Sequence, residues 1–385
     1  MEPGGTVTAA VRTRPSTRIA ALDWLRGIML VASVTINSMV ILPPSFHHSP
    51  WDGVNLEDVI FPIFVTLSGC GLAFALNRRT DWPRFARRVL VLFGLGLVYN
   101  WVVDGTQSLG ELRVTGVLQL YAVVVLLTAL GHQLTRTWRG WLGWTAFYAS
   151  TYSALLMWWS TRCPDSTLTR ECNPSGAIDS AVFGSHMYAG GLLGHDPEGL
   201  VAIYGSMVSV AAGATVGHLV LAIHRRSADV PLRRYVAPLT LLGAGLLAAA
   251  WLLPRVADLL GADLPTMKRL WTPPFALAIA GGVAIAMGLA VVVTRKIESR
   301  PVLDTALLYW LVALGRNSLL VYFGSHVLSS LLRRYPGGRG EGVLFQAVNA
   351  LGGGWAGQIA VTLALLLFWT TLAVVLHRRR IYLTA

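Results

Sequence analysis

Apolar runs of about twenty residues succeed one another along the chain, separated by short polar segments. Each is long enough to cross a bilayer at 1.5 Å per residue. The pattern predicts an all-α polytopic membrane protein with about ten transmembrane helices, near residues 19–42, 55–76, 85–103, 113–131, 139–160, 199–223, 236–254, 272–294, 303–331 and 356–377. Gly315-Arg316-Asn317 interrupts the ninth, which reads as one span or as two shorter pieces. Residues 1–18 are polar and rich in Thr, Pro and Arg; they read as a disordered cytoplasmic segment without a cleavable signal peptide. Residues 19–385 are expected to form one transmembrane domain, with residues 161–198 as a large extracytoplasmic loop.

Several spans carry polar groups, which are costly in an apolar environment and mark sites or pathways. In the first, Asp23, Arg26, Leu30, Ser33 and Asn37 follow a 3,4,3,4 spacing and share one face. Asn37 lies about 16 Å along the helix from Arg26. Asp23 and Arg26 can also pair locally, and Asn37 can serve as a helix-to-helix hydrogen bond. Asp58 begins the second span. Arg113, Gly116 and Gln119 read as one face of the fourth. Ser318, Tyr322 and Ser325 form a stripe after Asn317. A transporter would show the same pattern, so the pattern gives a pathway and not a reaction.

Composition settles the class. Hydrophobic residues make up 54% and charged ones 13%, against roughly a quarter charged in soluble domains. The net charge of +12 is no nucleic-acid signal. With the N-terminus in the cytoplasm, most Lys and Arg fall in inner loops such as Asn77 to Arg88, His224-Arg225-Arg226 and His377 to Arg380, the bias that orients membrane proteins. Both termini are then cytoplasmic and the loop holding His47 and His48 is extracytoplasmic, with the plasma membrane the expected location. Cys163 and Cys172 share the longest outer loop, where an oxidising compartment permits a disulfide; two free thiols are the alternative. No Cys/His spacing suggests a metal, and no nucleophile elbow, phosphate loop or zinc-protease motif is present. Asp196 and Glu198 read as caps of the sixth span.

The order of motifs resembles the heparan-α-glucosaminide N-acetyltransferase family of transmembrane acetyltransferases, as a bacterial-type relative lacking the luminal domain. The resemblance is carried by Leu22-Asp23-Trp24-Leu25-Arg26-Gly27, by His48-Ser49-Pro50-Trp51-Asp52-Gly53 with Leu56-Glu57-Asp58-Val59-Ile60-Phe61-Pro62, and by Arg113-Val114-Thr115-Gly116-Val117-Leu118-Gln119. Ile178-Asp179, His186, Tyr188, Asp196-Pro197-Glu198-Gly199, Leu270-Trp271-Thr272-Pro273 and Gly315 to Tyr322 follow in the family's order. Leu120 stands where the family has Arg and Thr115 where it has Pro. The family's histidine after the ninth-span motif is displaced by one position, to His326.

The resemblance implies an acyl-CoA-dependent transferase moving acetyl from cytosolic acetyl-CoA to an amine or hydroxyl of an extracytoplasmic sugar or glycoconjugate. It aligns His48 and Asn37 with catalytic residues. It places Asp23, Arg26, Trp51, Asp58, Arg113, Gln119, Asp179, His186, Tyr188, Asn317, Ser318 and Tyr322 among substrate or acyl-donor contacts. The residue chemistry agrees. A histidine is suited to take the amine proton near pH 7, or to carry the acetyl itself, and an amide N–H can meet the developing oxyanion. His47 is the rival of His48; the Ser-x-Trp that follows favours His48. Membrane lipids, acetyl-CoA and a small-molecule or glycan acceptor are the expected partners, with a homodimer possible on the same grounds and no metal or nucleic acid. The alternative is a transporter or flippase for a polar or lipid-linked substrate, with His48 in proton coupling.

Overall fold

The computed structural model describes residues 20–77, 80–105, 108–225, 231–298, 308–336 and 341–382. The segment 1–18 and the basic residues Arg78, Arg79 and Arg226 lie outside them. The described residues form α1 (Ala20–Ser38), α2 (Leu56–Ala75), α3 (Trp82–Asn100), α4 (Val117–Leu134), α5 (Trp138–Ser160), α6 (Pro174–Phe183), α7 (Leu200–His224), α8 (Arg233–Leu259), α9 (Pro273–Glu298), α10 (Tyr309–Arg316), α11 (Ser318–Arg334), α12 (Val343–Ala350) and α13 (Gly354–Arg378). Among the described residues, eight helices are long and apolar enough to cross a membrane. The chain is an all-α, multi-pass membrane protein.

The central helix is α7, whose buried residues occupy nearly its whole circumference. A helix apolar all round belongs inside a bundle, and α7 packs against α2, α5 and α9. Small residues permit this. A Cβ on Gly213 would collide with the Thr66 carbonyl, and one on Gly69 with the Val210 carbonyl, so α2 and α7 meet backbone to backbone, the packing that holds helices together in lipid. A second close approach joins α1 to α10, where Gly315 lies on the Asp23 carbonyl. Large apolar side chains on α3, α8 and α13, such as Leu90, Leu241 and Leu363, face outward, as lipid-facing surfaces require.

One alternative is decided and two expectations change. The ninth span is two pieces: α10 and α11 meet at Asn317, whose side chain donates to the Ala313 carbonyl at 3.1 Å and so competes with the helix ladder. The fourth span starts at Val117, not near 113. Arg113 and Gly116 therefore share no helix face with Gln119; Gly116 adopts φ 154° and Arg113 is drawn into tertiary ion pairs. The cap of α7 is also reassigned: Asp179 Oδ1, not Asp196 or Glu198, accepts the Leu200 N–H at 2.7 Å.

The α2–α7 contact predicts that Gly213→Leu lowers stability by about 3 kcal/mol or more through overpacking. Gly245→Ala should be near neutral, because a Cβ added there would meet no atom within 4 Å. Thermal unfolding of the detergent-solubilised variants checks both; equal midpoints would contradict the packing account.

Candidate active site

The loop before α2 is organised by one carboxylate. Asp58, 1% exposed, accepts from His48 Nδ1 at 2.7 Å and from the backbone N–H groups of Ser49 and Asn55, each at 3.0 Å. The last contact completes a capping box with Asn55, so the device that starts the helix also fixes the histidine. His48 Nε2 lies 3.4 Å from Glu57 Oε1, and the His48 side chain is 40% exposed. Of the two neighbouring histidines, His48 is the one whose ring is held by carboxylates; the His47 carbonyl accepts from Asn55 at 2.8 Å. Three distant groups tie the loop down. Trp51 Nε1 donates to Leu168 O at 3.1 Å, Arg170 to Pro50 O at 2.6 Å and Arg269 to Ser49 O at 2.9 Å.

At the end of α1, Asn37 Nδ2 lies 3.0 Å from His326 Nδ1 and 3.3 Å from Ser33 Oγ. His326 Nδ1 is also 2.9 Å from Tyr322 O. It serves one of these neighbours at a time, as donor to the carbonyl or as acceptor from the amide. Arg333 caps α1 by donating to the Asn37 and Met39 carbonyls at 2.9 and 2.6 Å.

Beside the histidine loop is a buried acid–base cluster. Arg113 donates to Asp196 at 3.0 Å and to Glu198 at 2.6 Å, while Lys268 lies 3.6 Å from Glu198. Burial pushes the Glu198 carboxyl up, but the charges of Lys268 and Arg113 outweigh it, with a smaller contribution from His48, and hold it below the ordinary range. Asn100 fixes the approach of Arg113 by donating to its carbonyl at 2.9 Å. Tyr188 places its ring 4.7 Å from the Arg113 guanidinium and its N–H 2.8 Å from Asp196. His195 is buried between Trp51 and Tyr188, and burial depresses its pKa.

At the opposite end of α1 a cavity of about 430 Å³ opens among α1, α2, α3, α4, α10 and α11. Arg26, Arg88 and Arg316 line it together with Asp23, Ser318 and Tyr121. Arg26 Nη1 lies 3.9 Å from Asp23 and Arg316 Nε 3.5 Å from it; Arg26 also donates to Leu67 O at 3.2 Å. The inner end of the cavity is walled by Phe61 and Tyr322, whose rings stack 6.5 Å apart. Phe61 is one helical turn from Asp58, and Tyr322 one turn from His326. His48 and Asn37 do not line the cavity; they lie beyond this aromatic pair.

The remaining sequence candidates distribute between site and scaffold. Ser318 and Tyr322 line the cavity. Asn317 is fully buried and pins the α10–α11 junction to Ala313 and Ala373. Gln119 is buried beside Gly96 and Gly116, and neither side-chain polar atom has a hydrogen-bond partner. His186 Nδ1 meets Leu112 O at 2.9 Å, anchoring one loop to another. Cys163 and Cys172 are joined as a disulfide. Sequence reasoning did not assign Glu57, Lys268 or Arg316 to the site, and it noted His326 only as a displaced histidine. Among the described residues, no group of three or more His, Cys, Asp or Glu side chains could hold a metal ion.

These features define a multi-pass membrane protein with a cation-lined cavity at one end of α1 and a carboxylate-held histidine at the other. Residues 18–167 match the family model described as heparan-α-glucosaminide N-acetyltransferase, catalytic, and the resemblance in the chain's motifs is thereby borne out. The human heparan-α-glucosaminide N-acetyltransferase is 24% identical over 368 residues, covering 81% of this chain and 53% of the human protein. The mouse protein of the same name is 22% identical over 374 residues, covering 83% and 55%. The chain spans about half the length of these curated relatives.

Asp179 carries a pH prediction. Burial lifts its carboxyl to about 6, against the opposing bonds from Ser175 and the Leu200 N–H, whereas a free aspartate titrates near 3.9. Between those values the native state keeps a proton that the unfolded state has lost. The Asp179 contribution to stability is therefore full below about pH 4 and falls as pH rises through about 6, by on the order of 2 kcal/mol. Asp179→Asn removes this term, so the difference in unfolding midpoint, variant minus wild type, should grow across that window. A difference that is flat or shrinks with rising pH would contradict it.

Proposed function

We propose that this chain is a transmembrane acyltransferase of the heparan-α-glucosaminide N-acetyltransferase type, moving acetyl from cytosolic acetyl-CoA to an amine or hydroxyl of an extracytoplasmic sugar or glycoconjugate. The observation that supports this most is the relation between the two ends of α1. A cavity bearing three arginines at one end leads to an aromatic wall one helical turn from the groups that hold His48 and Asn37. Residues 19–385 act as one working unit on this reading, oriented with Arg26 on the cytoplasmic side and in the plasma membrane.

Arg26, Arg88 and Arg316 take the phosphates of the donor, since guanidinium groups suit phosphate recognition. The acyl-bearing arm runs along the apolar cavity wall towards Tyr322. Arg113, Tyr188 and Trp51 contribute to the acceptor side, where the Arg113 cluster keeps the loop of residues 186–198 against the histidine.

In the direct route the acceptor nitrogen attacks the thioester carbonyl, His48 takes the nitrogen's proton, and the carbon–sulfur bond breaks to release CoA thiolate, which is then protonated. Asp58 on Nδ1 orients the ring so that Nε2 is the basic edge, the division of labour found wherever a carboxylate backs a catalytic histidine. The Asn37 amide donates to the oxyanion, a role worth about 3 kcal/mol. In the covalent route His48 Nε2 attacks the thioester carbonyl and the carbon–sulfur bond breaks to release CoA thiolate. The acceptor nitrogen then attacks the acetyl-imidazole, the bond to His48 breaks, and the acceptor's proton is lost to solvent, from which the thiolate is protonated.

His48→Ala should lower acetyl transfer from labelled acetyl-CoA to a glucosamine acceptor panel by at least about a hundredfold, while CoA binding to the purified protein is retained. Wild-type protein that neither binds CoA nor acetylates any acceptor would overturn the reading. Flux of a polar or lipid-linked solute through proteoliposomes without CoA would support transport instead.

A further inference from the structure

Arg316 differs from the other arginines of the cavity in how it is held. Its Nε lies 3.5 Å from Asp23 Oδ2 and has no hydrogen-bond partner although buried. Its Nη1 donates to the Tyr382 hydroxyl at 2.8 Å. The Tyr382 hydroxyl, which accepts from the guanidinium, in turn lies 3.1 Å from His377 Nδ1, within hydrogen-bond reach of the imidazole in either tautomer. The contact depends on the chain doubling back after α13. Arg380 takes φ 57° and Ile381 N–H returns to Leu376 O at 2.9 Å, which turns Tyr382 onto Arg316. The rings agree with this docking: the Arg316 guanidinium sits 5.2 Å from the Tyr382 ring centroid, and His377 packs 5.1 Å from Tyr309 of α10, the helix that ends in Arg316.

A long cationic side chain loses rotamer freedom when it is fixed on a ligand. That loss is smaller where the side chain is already fixed, which is how preorganisation raises affinity. With Nε 3.5 Å from Asp23 and Nη1 on Tyr382, the guanidinium plane of Arg316 is set by two contacts from different elements, and the side chain lines the cavity.

We propose that Tyr382 is a positioning residue for anion binding: the turn after α13 presets Arg316 at the mouth of the cavity, so that it meets a phosphate-bearing donor without being ordered by it. This rests on the proposed use of the cavity for an acyl-CoA. Tyr382 itself touches no substrate on this account, and its effect passes through Arg316.

Tyr382→Phe removes the hydroxyl and keeps the ring, so packing against His377 and Arg316 is retained. With the full chain in detergent, CoA and 3′,5′-ADP should each bind about three- to tenfold more weakly to Tyr382→Phe than to wild type, the range of the ordering cost of one rotamer-rich side chain. The KM for acetyl-CoA should rise by the same factor, with kcat at saturating donor unchanged. Arg316→Ala should weaken binding further, and adding Tyr382→Phe to it should have no additional effect. The inference is overturned if Tyr382→Phe binds CoA as tightly as wild type or more tightly. It is overturned equally if the variant costs as much on the Arg316→Ala background as alone, or if kcat falls while KM stays constant. Wild-type protein that binds no CoA overturns this inference together with the donor-site reading, whereas CoA binding that is indifferent to Tyr382 overturns the inference alone.

Discussion

The buried carboxylate of Asp58 is the constraint from which the histidine end of the molecule is built. It sits at the head of an apolar helix, where an unpaired charge would cost several kcal/mol. Its oxygens are instead taken up by one imidazole N–H and two backbone N–H groups. The same three bonds start α2, close the loop of residues 48–55 and set the histidine ring. Helix initiation and placement of the histidine are therefore one event. Trp51, Arg170 and Arg269 then have a defined loop to hold, and through them residues 168–170 and 269 are brought against it.

The second consequence lies below the helix head. Phe61 follows Asp58 by one turn and forms half of the aromatic wall that ends the cavity. Tyr322 forms the other half, and its carbonyl and the Asn37 amide are alternative partners of His326 Nδ1. The rigidity of this arrangement comes from close backbone packing elsewhere. Gly213 seats α7 on α2, and Gly315 seats α10 on α1, which brings Arg316 to Asp23. A bundle with larger residues at those points would hold its helices further apart and would separate Asp23 from Arg316.

Much of this was legible in the sequence because it is local. Apolar runs located the helices, and the 3,4,3,4 spacing of Asp23, Arg26, Ser33 and Asn37 placed polar groups on one face of α1. That face does carry Arg26 and Asp23 into the cavity and Asn37 onto His326. What the spacing could not supply was the partner. Arg113 meets acids 83 and 85 residues away, and Asn37 meets an imidazole 289 residues away; no periodicity encodes such pairs. The same tertiary pull explains the misplaced start of α4, since ion pairing draws Arg113 out of a segment whose hydropathy would extend the helix. Asp196 and Glu198 fit the pattern of helix caps, but a buried cation is a stronger partner than a helix dipole, and the cap fell to Asp179.

The geometry also bears on how the two ends of α1 work together on the proposed reading. The cavity does not reach His48, so the acyl group and the histidine are separated by Phe61 and Tyr322. Tyr322, His326 and Asn37 carry polar atoms past this pair, whereas the Phe61 side chain offers none. Tyr322 lines the cavity and its carbonyl faces His326 Nδ1, which also faces the Asn37 amide. A thioester carbonyl arriving at the wall would therefore meet the Asn37 amide as donor on the α1–α11 side, while the attacking nitrogen would give its proton to His48 on the α2 side. Separating donor from base in this way lets each be held by its own scaffold, Asn37 by Ser33 and the Arg333 cap of α1, and His48 by Asp58. The reacting atoms then have to meet where the two scaffolds converge, at the aromatic wall.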